Sequence, residues 1–204
     1  MPSSYDLFRQ IHSAGLLVNN TWKVKQTDEL DSKTRHIYNC ETLQDLERFA
    51  KSASLTEDEF SYAVHRWRNF KRHEAWLTLI FDEVPGVSPP PKAFHKTQDF
   101  FIISNGELIP FDLKVSRYPK TAPTKLQDAS LAEWFYENQS KQGRFHLANR
   151  FFIVGDPETA LYSLELAREA LASFARQKSK YRHFLHHPDG TTSRAVVLRV
   201  GINA

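Results

Sequence analysis

The sequence predicts an α/β domain, a mixed β-sheet flanked by helices, preceded by a mainly helical N-terminal extension. Three observations carry this expectation. Asn105-Gly106 stands between two β-rich runs, residues 98–104 and 107–116. Asn-Gly in that setting is the strongest short hairpin signal, because a type I′ turn needs two residues that tolerate φ > 0. Around this hairpin the elements run helices, hairpin, helix, strand, helix, strand, the order of a sheet covered by helices. Hydrophobic residues make up 41% of the 204-residue chain and aromatics 13%, enough for one core and a small extension.

The extension is assigned to residues 1–56 and the α/β domain to 57–204. Tyr5 to Val18 reads as a short amphipathic helix. Thr21 to Lys25 and His36 to Asn39 read as short strands around a polar turn at residues 27–33. Thr42 to Ser52 has Leu43, Leu46, Phe49 and Ala50 at helical spacing. Thr56 with Glu59 is a capping box that opens the next helix, expected over Glu57 to Phe81. Its apolar stripe is Phe60, Ala63, Val64, Trp67, Phe70, Leu77 and Phe81, and Glu74 falls on that stripe. A carboxylate there needs a cationic partner, a proton or a metal ion. Arg66, Arg68, Lys71, Arg72 and His73 of the same helix read as a solvated face, with a phosphate-contacting surface as the second reading. Thr42 to Phe70 also fits two helices of a helix-turn-helix.

Residues 85–92, PGVSPPPK, read as an extended connector, since consecutive prolines cannot continue a helix. After the hairpin comes a basic, proline-broken loop with Arg117, Lys120 and Lys125. These cations leave the strand beside the Asp-x-Lys run and suit a polyanion's backbone, or else a solvated loop. Ser130 to Asn138 is expected to be a helix, Asn149 to Val154 a strand, residues 157–178 one long helix and Ala195 to Val200 a final strand. His183 and His187 have the i, i+4 spacing that can bind zinc on a helix, but with no catalytic Glu between them and no cysteine pair nearby, His183, His186 and His187 read as a polar surface segment.

A two-residue turn also fixes the hairpin register. With Ser104 facing Glu107, Ile102 faces Ile109, Phe100 faces Phe111 and Asp99 faces Asp112. The last pair is of the closer, non-hydrogen-bonded kind, with Cβ atoms roughly 4.5–5.5 Å apart. Like charges so placed destabilise a sheet unless something positive sits between them. Lys114, two residues on, shares the face of Asp112. Phe101, Ile103, Leu108 and Pro110 make that face apolar near the turn, and the other face, with Phe100, Ile102, Ile109, Phe111, Leu113 and Val115, is almost unbroken apolar surface, so burial on both sides is expected.

An Asp at the start of one strand, a short hairpin and Asp-x-Lys on the next strand resemble the PD-(D/E)XK nuclease superfamily. Asp99, Asp112 and Lys114 are the matching residues, and Gln98 stands where the motif often has Pro. The resemblance implies a restriction-endonuclease-like αβββαβ core within 57–204. Its first core strand is not obvious, and Phe94 to Lys96 is the segment that would supply it. It further implies a Mg2+ site, with Mn2+ as a substitute, formed by Asp99, Asp112 and the backbone carbonyl of Leu113. Glu74 would complete that site from the preceding helix, with Glu83 as the fallback. Lys114 would orient the attacking water or stabilise charge on phosphate. One of Gln127, Gln139 and Gln142 would assist. Arg66, Lys71, Arg117 and Lys120 would hold the nucleic-acid backbone. The implied activity is that of a metal-dependent phosphodiesterase, a DNA endonuclease that often works as a homodimer.

The formal net charge of +3 permits a nucleic-acid partner without demanding one. One cysteine, Cys40, excludes a disulfide framework and reads as a structural thiol. The first residues, MPSSYDLFRQ, lack a signal peptide's apolar stretch, and no run of about 18 apolar residues marks a membrane span. A cytoplasmic setting is the resulting expectation. Two rival functions stay open: an inactive nucleic-acid or protein interaction module of the same fold, and a helix-turn-helix DNA-binding protein using Arg66, Arg68 and Lys71.

Overall fold

A computed structural model of the chain describes residues 3–17, 24–90, 98–123, 126–139, 148–187 and 190–201. The chain forms two compact units, Met1–Ala75 and Trp76–Ala204. The division falls inside one long helix.

The first unit contains α1 (Ser4–Leu17), α2 (Asp28–Lys33), a 3-10 turn (Arg35–Asn39), α3 (Leu43–Ser52) and the first part of α4 (Glu57–Glu83). The polar turn expected at 27–33 is therefore a helix, because Thr27 caps it by accepting from Leu30 N. The strand expected at His36 to Asn39 is a 3-10 turn that delivers Ile37 to the core. The strand expected from Thr21 falls almost wholly outside the described residues. Thr56 caps α4 as its sequence announces, exchanging bonds with Glu59, and Thr42 caps α3 in the same way with Asp45. Ala14, Ile37, Cys40, Leu46, Ala63, Val64 and Trp67 form one cluster, and Trp67 Nε1 donates to the Cys40 carbonyl at 2.8 Å.

The basic run of α4 is not a solvated face. Arg68, Lys71 and Arg72 are buried, and Ser61 to His65 are buried in succession, so α4 is covered over more than one stripe. Buried cations persist only when paired. Lys71 meets Glu74 at 2.8 Å and lies over the Phe70 ring.

The second unit is built on a six-stranded sheet of order β1-β2-β3-β4-β6-β5. The strands are β1 (Val87–Ser88), β2 (Phe100–Ser104), β3 (Glu107–Arg117), β4 (Arg150–Gly155), β5 (Arg182–His186) and β6 (Thr192–Val200). β1, β2 and β3 are antiparallel neighbours, β3, β4 and β6 run parallel, and β5 is an antiparallel edge. The turn adopts φ 52° at Asn105 and 81° at Gly106, and the register from Ser104↔Glu107 to Phe100↔Phe111 is the one the turn dictates.

Helices α5 (Asp128–Gln139) and α6 (Leu164–Arg176) pack on opposite faces of the sheet. Phe151 and Phe152 are consecutive in β4 and so point to opposite faces. Phe152 stacks on Phe135 of α5 at 4.9 Å between centroids. Phe151 meets Phe174 of α6 at 5.1 Å. The single long helix expected over 157–178 is instead a 3-10 turn (Glu158–Tyr162) followed by α6, because Ser163 caps a new helix by accepting from Leu166 N. The histidine-bearing segment is strand β5 rather than a helix, so the spacing of His183 and His187 does not bring their rings together. Ile103 and Leu108 are exposed, against the expected burial on both sides, because α5 packs on Phe152, Val154, Ala195 and Val197 and leaves the hairpin tip uncovered. No described helix is long and apolar enough to cross a membrane.

The stacked Phe135–Phe152 pair holds α5 to the sheet. Phe152→Ala is expected to cost about 3–5 kcal/mol of stability, measured as a fall in the urea midpoint.

Candidate functional site

β3 has eleven residues and β2 only five, so β3 runs on alone on its β2 side after Phe111. The ladder ends at Phe100↔Phe111, and the chain then departs from the expected Asp99–Asp112 pairing. Asp99 N donates to the Phe111 carbonyl at 2.9 Å. The Asp99 carboxylate folds over the open end of the ladder, where its Oδ2 accepts from Leu113 N at 2.7 Å. A side chain thus stands in for the strand that has ended, as a buried N–H requires. In β3 the odd residues bond toward β2, so the Leu113 carbonyl also faces this open side.

Asp112 lies on the adjoining face. Lys114 Nζ meets its two carboxylate oxygens at 3.1 and 2.9 Å. Arg150, the first residue of β4 and its register partner, brings Nε to 3.8 Å from Asp112 Oδ2. The Arg150 guanidinium lies 4.7 Å from the centroid of the Tyr136 ring, and the Tyr136 hydroxyl donates to the Ala148 carbonyl at 2.7 Å. Helix α5 thereby holds the arginine against the acid. Burial pushes the Asp112 carboxyl above its ordinary pKa; Lys114 works against this, Asp99 adds to it, and Arg150 opposes it more weakly. Burial also pushes up the Tyr136 phenol, against a bond from Ser193. The Asp112 side chain is 20% exposed and Lys114 42%, so the ammonium end of the cluster opens to solvent.

The structure brings Asp99, Asp112, Leu113 and Lys114 together. Glu74 belongs to the first unit, paired with Lys71. Glu83 pairs with Arg168 of α6, the helix on the opposite face of the sheet from Asp112. Arg66 is engaged within the first unit by Asp31, Thr34 and Tyr38. Arg117 and Lys120 are exposed at the end of β3 and just beyond it. Gln127 is exposed ahead of α5, Gln139 closes that helix, and Gln142 and Lys125 lie outside the described residues. Arg150 and Tyr136 are the members that sequence reasoning missed. The signal for Arg150 was its place at the head of an apolar strand, but only knowledge that β4 lies beside β3 turns that into a contact with Asp112.

Two carboxylates and a backbone carbonyl fit a hard cation such as Mg2+, which takes oxygen ligands and keeps several waters. Among the described residues no group of three or more His, Cys, Asp or Glu side chains forms a ready-made cage. No family model matches the sequence, no curated protein is significantly similar to it, and no solved structure significantly matches its fold.

Two predictions test this geometry. Asp112 has a raised folded-state pKa, so its contribution to stability is fully present below the ordinary 3.8 and is lost as pH rises through the folded value. Asp112→Asn, neutral throughout, is expected to melt at or above wild type at pH 7 and to match it near pH 3. Melting several degrees below wild type at pH 7 would mean that the Lys114 and Arg150 pairs outweigh burial. Asp99→Ala removes the acceptor of Leu113 N and is expected to cost about 1–3 kcal/mol in chemical denaturation. Asp99→Asn, which keeps an acceptor oxygen, should recover most of that loss.

Proposed function

We propose that the second unit is a metal-dependent phosphodiesterase of the PD-(D/E)XK kind, acting on DNA. The observation that carries this reading is the joining of Asp99, Asp112 and Lys114 at the open end of the β2–β3 ladder, with the Asp112 charge held where burial disfavours it. A carboxylate perturbed by desolvation beside a specific charge partner is a functional-site candidate. The order α4, β1, β2, β3, α5, β4, with β3 parallel to β4, supports the reading as well. It supplies the αβββαβ succession that the resemblance implies. The short first strand is β1, while Phe94 to Lys96 lie outside the described residues.

Asp99, Asp112 and the Leu113 carbonyl would hold Mg2+ or Mn2+. When bound, the ion supplies Lewis-acid activation of water and neutralisation of phosphate charge. Lys114 is placed to stabilise charge that develops on the phosphoryl oxygens, as a preorganised cation on a rigid strand. Arg150, fixed by Tyr136, positions Asp112 and keeps its carboxylate from turning away. The exposed Arg117 and Lys120 are the cations on this unit suited to the nucleic-acid backbone.

A second reading, an inactive interaction module of the same fold, is favoured by one specific feature: every contact of the cluster is also a structural one. Lys114 satisfies Asp112, and Asp99 closes the ladder. Cleavage of plasmid and single-stranded DNA with Mg2+ or Mn2+ separates the two. The nuclease reading expects divalent-dependent cleavage that falls by about 10²-fold or more in Lys114→Ala and Asp112→Asn, with circular dichroism unchanged. No cleavage by wild type, together with unfolding of Asp112→Asn, is the outcome of the module.

A further inference from the structure

At its other end β3 also lacks a neighbour. Residues 107–111 precede the start of β4, whose first pair is Asp112↔Arg150. The Asn149 side chain spans this gap, donating from Nδ2 to the Pro110 carbonyl at 3.0 Å and accepting from Arg194 N at 2.8 Å. Beside the gap lies a cavity of about 190 Å³, lined by Ser104, Glu107, Arg182, His183, Phe184 and Arg194 among others.

Cations dominate it. Arg182 is held by Nη1 donating to Ser104 Oγ at 2.9 Å, while its Nε is buried with no hydrogen-bond partner among the described residues. The Arg194 guanidinium lies 5.7 Å from the centroid of the Phe184 ring, and that ring is 67% exposed. A large aromatic left in solvent on an edge strand, beside an arginine, is a stacking platform next to an anion hole. Lys178 adds to the positive field: its ammonium is pushed below its ordinary pKa by burial and then by Arg182. Among the lining residues Glu107 is acidic, but it is 73% exposed and reaches Arg194 only at 4.0 Å, a surface pair of small worth. The cavity is smaller than the roughly 300–1,000 Å³ of drug-sized sites, which suits a phosphate and its sugar with a base outside on the ring.

We infer that this crevice binds a nucleotide, its phosphate between Arg182 and Arg194 and its base on Phe184. The inference stands apart from the hairpin cluster, since it needs neither a metal nor Asp112. Two sources share this chemistry, a free mononucleotide and the 5′-phosphorylated end of a single strand.

Calorimetry on the full chain at low salt tests it, with adenosine 5′-monophosphate, adenosine, inorganic phosphate and a 5′-phosphorylated single-stranded oligonucleotide. Adenosine monophosphate or the oligonucleotide should bind and adenosine should not. Whichever binds tighter names the source. Arg194→Ala should weaken binding about tenfold or more, as loss of a charge-assisted contact does. Phe184→Ala should bring the nucleotide down to the level of inorganic phosphate. Glu107→Gln should tighten binding, and Asp112→Asn should leave it unchanged. The inference is overturned if neither phosphorylated ligand binds, or if Arg194→Ala and Phe184→Ala, folded by circular dichroism, bind as wild type does. Should Arg194→Ala fail to fold, unchanged affinity in Glu107→Gln and Phe184→Ala overturns it equally.

Discussion

The second unit depends on a mismatch of strand lengths. β3 is more than twice as long as β2 and begins well before β4. A strand that outruns its neighbours leaves backbone donors and acceptors that must still be paired. The chain meets the demand with side chains: the Asp99 carboxylate at the end toward Leu113, and the Asn149 amide between Pro110 and Arg194. Both places where the ladder is interrupted are also where charged groups gather.

The acidic end shows how competing terms are balanced. Asp112 has Lys114 in contact and Arg150 nearby, yet burial and the neighbouring Asp99 prevail in setting the direction of its pKa. An ion pair partly removed from water gains Coulomb energy but loses hydration, and the loss can be the larger. The lysine in contact offsets part of the cost of burying the acid. On the other face of the same strands Phe100, Phe111 and Phe151 pack against one another and against Phe174 of α6, an aromatic layer that backs the charged residues.

The hairpin was legible in the sequence because its signals are local. Asn105-Gly106 fixes the turn, the turn fixes the register, and Asp112 and Lys114 share a face by strand periodicity alone. The capping box at Thr56 was legible for the same reason. Whatever depends on distant partners was not. The end of the ladder at Phe100 rests on where β2 leaves the sheet, and Arg150 reaches Asp112 only because β4 docks beside β3. The basic residues of α4 read as solvent-facing, since periodicity does not reveal how many sides of a helix are covered. Strand β5 was missed: a polar, histidine-rich edge strand lacks the β-branched alternation that marks one, and it forms because β6 supplies its pairing.

Central to the proposed function is an Asp112 charge held against burial, which a divalent cation would relieve. Titration of its carboxyl carbon by NMR, with and without Mg2+, tests that claim most directly. The expected result is a titration above the ordinary aspartate range in metal-free protein, moving to lower pH when Mg2+ is added in the presence of a DNA oligonucleotide. A titration at or below the ordinary range that Mg2+ and DNA leave in place would contradict it, and would make the Asp112–Lys114 pair a structural ion pair.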